Sequence, residues 1–297
     1  MRKFLFLIVA SIIFISCNSK TSSSQKTIIE DDLHHQLNLK LPITKAVSLA
    51  PNLTEIIYFI GAENLLAANT LYCNFPPDAK KKPKIGDLVN IDFEKLLKIN
   101  PDVVLMTTEG NNKAQYNKIK SLGFKVFVSD LKSFEDILRT IKTYGKIFGK
   151  EKTAEEKTRI LKIEYDSLRS TVEKRPSKTA LFLISVHPLI AAGKNTFINE
   201  YLTACGLQNS LGKTKVNSYP IINIEELIKE NPDFIMLPKN VKSQFEELVN
   251  QNFLLQKLKA VQNSGLIYVN PDLYFRPGPR FTDALKDLIE KLNSKKQ

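Results

Sequence analysis

The sequence predicts an α/β protein: two lobes with mainly parallel sheets, joined by one long α-helix. Three observations carry this prediction. A helix–Asn-Pro-Asp–strand unit occurs twice, the second copy 131 residues after the first. Short apolar strands alternate with amphipathic helices along the rest of the chain. Between the halves stands Lys150 to Glu173, dense in Glu, Lys, Arg and Leu and free of Gly and Pro.

The repeat is read by aligning Ile91–Met106 with Ile222–Leu237. Each copy has a glutamate in the first turn of a helix, Glu94 or Glu225, then apolar residues three and four apart, then Asn-Pro-Asp, then an apolar run. Proline pushes the residue before it out of the α region, so the helix ends at Asn-Pro. The run Val103-Val104-Leu105-Met106 is apolar on every side, as a buried parallel strand requires. Two like units imply two lobes of like architecture.

The other elements follow in order. Arg2 and Lys3 precede an apolar run, Phe4 to Ile15, too short for a mature membrane span and the length of a signal-peptide core. Ser16-Cys17 after it resembles a lipoprotein cleavage site, so residues 1–16 read as signal peptide and Cys17 as the lipidated first residue; plain secretion is the alternative. Residues 17–40, rich in Ser, Thr, Lys and Gln, read as a flexible tether in which His34 and His35 need no role. The N-terminal lobe is then 41–149, the connecting helix 150–173 and the C-terminal lobe 174–297. Ala46–Ala50 reads as a strand, followed by a helix to Ile60 with an Asn52/Glu55 capping box and Gly61 as its stop. Lys125–Val128 is a strand before a helix started by Ser133. In the second half, Ala180–Val186, Phe234–Leu237 and Leu266–Val269 read as strands, and Phe197–Cys205, Phe245–Leu258 and Phe281–Leu292 as helices. The connecting helix spans roughly 35 Å at 1.5 Å per residue.

The formal charge is +12, and it stays strongly positive without Arg2 and Lys3. Nucleic acid is excluded as the partner: the lysines are scattered along helix faces without an aromatic platform, and an export signal removes the chain from it. Cys73 and Cys205 are either two separate thiols or, in an oxidising compartment, a disulfide. The sequence has no C-x-x-C, H-E-x-x-H or G-x-S-x-G motif and no Gly-rich phosphate loop, and His187 is the single histidine of the folded region. A hydrolase, or a receptor for a bare metal ion, needs more groups than that. His187 ends a strand before Pro188, where a neutral imidazole is a candidate ligand for iron or cobalt carried by a bound molecule.

Three segments carry a family resemblance: Ala46-Val47-Ser48-Leu49-Ala50-Pro51-Asn52-Leu53-Thr54-Glu55, Tyr72-Cys73-Asn74-Phe75-Pro76-Pro77 and Asp272-Leu273-Tyr274-Phe275-Arg276-Pro277-Gly278-Pro279-Arg280. Their order and spacing, across nearly all of residues 42–295, resemble the periplasmic vitamin-B12 and iron-siderophore receptors of ABC importers. The resemblance implies the class III periplasmic binding protein fold. It implies a monomeric, extracytoplasmic, lipid-anchored receptor in the periplasm or at the cell surface. Such a receptor binds a corrinoid between its lobes and delivers it to a permease dimer with its ATPase. It is not an enzyme and needs no cofactor, since the metal comes within the bound chelate. Haem or an iron-siderophore is the alternative ligand, and a sensing or adhesive role the alternative function.

By the same resemblance the ligand meets Pro51, Asn52, Leu53, Tyr72, Leu88 and Thr107 on one lobe and Asp272, Tyr274, Phe275 and Arg276 on the other. Strand C-terminal ends and helix N-termini are where α/β proteins bind ligands. The chain has no Trp, whereas the B12 receptors stack their ligand partly on tryptophans. Glu94 and Glu225 match the glutamates that dock, one per lobe, on permease arginines; each also suits its helix N-terminus.

Overall fold

The computed structural model describes residues 25–172, 178–213 and 218–295. Residues 1–16, read above as signal peptide, and Cys17 lie outside the described residues. In the N-terminal lobe, β3 (Ala46–Ser48), β4 (Leu66–Ala68), β5 (Val103–Thr107) and β6 (Val126–Ser129) form a parallel sheet in the order β4-β3-β5-β6. All five residues of β5 are buried, which is why its sequence is apolar throughout. The lobe's helices are α1 (Pro51–Phe59), α2 (Phe93–Ile99), α3 (Lys113–Ser121) and α4 (Phe134–Phe148). After α5 (Glu151–Ser170), the C-terminal lobe pairs β7 (Thr179–Ser185), β8 (Ile190–Ala191), β9 (Gln208–Asn209), β10 (Phe234–Pro238) and β11 (Leu266–Val269) in the order β11-β10-β7-β8, with β9 also on β7. Only β8 joins antiparallel among these described strands. Helices α6 (Phe197–Ala204), α7 (Ile224–Glu230), α8 (Lys242–Gln251), α9 (Phe253–Gln256), α10 (Lys259–Gln262), α11 (Pro271–Tyr274) and α12 (Phe281–Ser294) complete the lobe.

The Asn-Pro-Asp repeat is a structural staple. Asn100 and Asn231 end α2 and α7 in the left-handed region, at φ 48° and 38°. The aspartate that follows then holds the start of the neighbouring strand. Asp102 accepts hydrogen bonds from Thr44 N (2.7 Å), Thr44 Oγ1 (2.8 Å) and Lys45 N (2.9 Å), just before β3. Asp233 accepts from Thr179 N (2.8 Å), Thr179 Oγ1 (3.2 Å) and Lys178 Nζ (3.1 Å), at the start of β7. The same triplet therefore sets the register of the two central strands in both lobes.

The connecting helix is the expected one, with its ends drawn in: Lys150 is its N-cap and Thr171 its C-cap, leaving 20 helical residues, about 30 Å. Gly149 turns the chain at φ 66°, and α5 folds back on α4. Gly145 permits that approach, since a Cβ there would stand 2.6 Å from the Ala154 Cβ. A continuous apolar core runs from the first sheet through α4, α5 and α12 to the second. Its spine is aromatic: Phe134 stacks on Tyr165 at 4.1 Å, Phe281 sits 5.4 Å from Phe134, and Tyr201 stacks on Phe281 at 4.3 Å.

Three local expectations change. Residues 25–41 form an antiparallel hairpin, β1 (Gln25–Glu30) and β2 (Gln36–Leu41), where a spacer was expected. Leu37 and Leu39 are buried, and the hairpin turn covers the open edge of β6: Asp32 N donates to Val128 O, while Asp31 and Asp32 carboxylates accept from Val128 N and Asp130 N. His35 in that turn stacks on Tyr116 at 5.2 Å. The Asn52/Glu55 capping box does not form; α1 starts from Ala50 with Pro51 in its first turn, and both side chains are engaged elsewhere. The helix expected over Phe245–Leu258 breaks at Asn252, whose side chain accepts from Leu254 N and Leu255 N and starts α9. Cys73 and Cys205 are buried and are not joined in a disulfide.

Burial works to raise the Asp102 and Asp233 carboxyls, but the hydrogen bonds from Thr44, Lys45, Thr179 and Lys178 outweigh it and hold both below the usual carboxylate range. A depressed folded-state pKa contributes stability above the unfolded value, near 3.9, that is lost as pH falls through the folded value. The D102N/D233N variant should therefore lose roughly 1 kcal/mol per site at pH 7, the solvent-screened low end for charge-assisted bonds. Urea unfolding should find that deficit shrinking by pH 3; a pH-independent deficit would contradict the staple's charged form.

Candidate functional site

The C-terminal ends of both sheets face one cleft of about 220 Å³. From the N-terminal lobe it is lined by Ala50, Pro51 and Asn52 where β3 runs into α1, by Tyr72 and Leu88 on loops, and by Thr107 and Glu109 after β5. From the other lobe come Pro271, Asp272, Phe275, Arg276 and Pro277, on α11 and the loop before α12. The wall is held from behind. Thr107 N donates to Asn111 Oδ1 at 3.0 Å, and Asn111 Nδ2 donates to Leu49 O and Leu88 O. Gln115 Nε2 donates to Leu88 O (2.9 Å) and Val89 O (2.7 Å), so α3 ties down the loop that carries Leu88.

One buried ion cluster closes the base of the cleft. Glu55, 3% exposed on α1, accepts from Arg280 Nε (2.8 Å) and Arg280 Nη2 (2.7 Å) in a bidentate pair, and from Arg276 Nη1 (3.2 Å). Arg276 also donates to Asn74 Oδ1 (2.6 Å), Asp272 Oδ1 (2.6 Å) and Tyr72 O (3.2 Å). Asn74 Nδ2 donates to Asp272 Oδ2 (2.9 Å), and Arg280 lies 4.0 Å over the Phe75 ring. Both Glu55 oxygens and both terminal nitrogens of Arg276 have partners from the opposite lobe or their own loop, so the charges tolerate burial.

Of the residues singled out in the sequence, Pro51, Asn52, Tyr72, Leu88, Thr107, Asp272, Phe275 and Arg276 come together on the cleft. Leu53 does not line it: it falls on the inward face of α1 with Ile56, Ile57 and Ile60, fully buried. Tyr274 points the other way from Phe275, into the aromatic core, where its hydroxyl donates to Asp287 Oδ2 at 2.8 Å. His187 is exposed in the turn between β7 and β8, off the cleft lining. Sequence reasoning missed Glu109, and it missed Tyr219, whose hydroxyl reaches from the second lobe to donate to Glu109 Oε2 at 3.0 Å. Burial raises the Glu109 carboxyl, the Tyr219 bond opposing it. No local pattern announces a pair 110 residues apart.

Glu94 and Glu225 are exposed in the first turns of α2 and α7. Each helix runs opposite to the parallel strand after it, so both carboxylates sit at the cleft end of their sheets. Neither is held in an ion pair among the described residues. Also among the described residues, no group of three His, Cys, Asp or Glu is arranged for a metal ion, and no helix is long and apolar enough to cross a membrane.

Two like α/β lobes, one bridging helix and a cleft at the strand ends define a class III, two-lobe binding protein. The sequence model of the periplasmic binding protein family matches residues 47–273, and the chain belongs to that family. It is 28% identical to YvrC, an uncharacterised ABC transporter substrate-binding lipoprotein of Bacillus subtilis, over 96% of this chain and 95% of that protein. It is 25% identical to a vitamin B12-binding protein of Vibrio vulnificus, over 86% of this chain and 92% of that one. The crystal structure of the periplasmic vitamin B12 binding protein BtuF of Vibrio cholerae has the same fold, with TM-score 0.75 at 24% identity, covering 86% of this chain and 99% of that one.

Removing Glu55 leaves two arginines without their shared partner. E55A should cost about 3–5 kcal/mol in denaturant unfolding, as for other broken buried pairs. A loss under about 1 kcal/mol would mean that the cluster behaves as a surface salt bridge.

Proposed function

We propose that this chain is the extracytoplasmic receptor of an ABC importer, that it holds a corrinoid in the interlobe cleft, and that it presents it to the permease. The observation that carries the choice of ligand is the state of Arg276. It is the one cation among the described residues of the cleft lining, and Glu55, Asn74, Asp272 and the Tyr72 carbonyl take two bonds from each of its terminal nitrogens. An acidic ferric siderophore needs free cations, and the described residues of this wall offer none. A corrinoid brings its metal already chelated and needs contact area and acceptors for its amide side chains. Tyr72, Leu88, Phe275 and the prolines supply the first, and Thr107 and Glu109 the second. No resident metal or cofactor enters this reading.

Haem is the second reading, and Tyr72 favours it: the phenol is 54% exposed and on the cleft, free to ligate iron. Neither His187 nor Tyr274 shares that position. The exposed carboxylates of Glu94 and Glu225, one per lobe at the cleft end, suit docking on arginines of a two-fold permease. Cys17 would carry the lipid that keeps a monomeric receptor at the membrane.

A thermal-shift series with cyanocobalamin, cobinamide, haem and ferric siderophores tests the reading. At about 100 times its dissociation constant a ligand adds about 2.7 kcal/mol. The corrinoids should raise the melting temperature and the siderophores should not. A shift with haem alone transfers the function to haem uptake, and no shift with any compound overturns the ligand class.

A further inference from the structure

Among the described residues, the lobes meet around the cleft through contacts of very different strength, one of them the 3.3 Å bond from Asn52 Nδ2 to Pro277 O. At its base stands the buried cluster of Glu55, Arg276 and Arg280. Across the cleft stands a single bond, Tyr219 Oη–H to Glu109 Oε2, 3.0 Å. Both residues of that bond are half-buried and both are held from their own side. Tyr219 lies on a segment paired with the β8 region: Gly193 N donates to Ser218 O, and Ala191 N to Pro220 O. Glu109 rides the loop after β5, where Glu109 N and Asn111 N donate to Thr107.

The cleft of about 220 Å³ is smaller than the roughly 300–1,000 Å³ of pockets that enclose drug-sized ligands, so a bulky ligand must part the lobes. Breaking one hydrogen bond with a neutral donor is far easier than breaking a buried ion cluster. We propose that the Tyr219–Glu109 bond is a latch that closes the ligand-free cleft, and that the released Glu109 selects ligands that present amide donors and no negative charge. This rests on the receptor reading above.

The charge pattern around Glu109 supports the selection. Among the described residues, Arg276 is committed to Glu55 and Asp272, and Lys132, whose charge acts on Glu109, is paired with Asp130 at 2.6 Å. Opening the latch thus leaves a carboxyl that no described cation pairs, facing whatever binds. An amide N–H offers it a hydrogen bond; a propionate or hydroxamate-type anion meets repulsion in a poorly solvated site.

Two variants separate the halves of the proposal. Y219F removes the donor and keeps the ring. E109Q keeps an acceptor for Tyr219 and removes the charge. In ligand-free full-length chains, amide hydrogen exchange over residues 107–111 and 218–222 should speed up several-fold in Y219F and stay near wild type in E109Q. Calorimetric titration should find cyanocobalamin bound about three- to tenfold tighter by Y219F, since the ligand no longer competes with the latch. E109Q should improve haem relative to cyanocobalamin by about tenfold. Unchanged exchange in Y219F overturns the latch, and an unchanged haem-to-cobalamin ratio in E109Q overturns the selection. A wild-type chain that binds neither compound overturns the selection together with the receptor reading, while the exchange comparison still decides the latch.

Discussion

The structure depends on one carboxylate. Glu55 sits at the base of the cleft, almost without solvent, and takes two guanidinium groups from the opposite lobe. Burying three charges is costly unless geometry and hydrogen bonds are nearly complete. Here the pair to Arg280 is bidentate and Arg276 makes three further bonds, to Asn74, Asp272 and Tyr72. Lysine offers no planar fork and would not satisfy this arrangement. The cluster also decides what the cleft is chemically: it uses up the arginine on the lining and leaves a wall of prolines, rings and acceptors.

Mechanics follows from the same contact. The core is continuous from sheet to sheet through α4, α5 and α12, and its stacked rings link the lobes face to face. Packed aromatic faces and a buried ion cluster resist sliding, so wide hinge opening at the bridge is disfavoured. The Tyr219–Glu109 side lacks both kinds of support. Any parting of the lobes therefore concentrates at that side and pivots about Glu55.

Much of this was legible in the sequence. The Asn-Pro-Asp repeat announced two like lobes because a proline and a left-handed asparagine that end a helix are local devices. The charged, Gly- and Pro-free run announced α5 for the same kind of reason. Most of the cleft lining was named through the family resemblance, with Pro51 and Asn52 also marked by their place after a strand. What was not legible is long-range. Glu55 fits an i, i+3 capping pattern with Asn52, and nothing local says that it prefers arginines more than 220 residues away. Leu53 and Tyr274 belong to the right motifs and turn inward because α1 and α11 each bury one face. The hairpin at 25–41 did leave a trace, the alternation Leu37, Leu39, Leu41, which the polar composition before it obscures.

A crystal structure of the full-length chain grown with cyanocobalamin tests the central claim most directly. The account predicts the corrinoid in the interlobe cleft against Tyr72, Leu88, Thr107 and Phe275, with Glu55 still held by both arginines and Tyr219 parted from Glu109. A corrinoid seated elsewhere on the molecule, or a cleft that opens by breaking the Glu55 cluster, would contradict it.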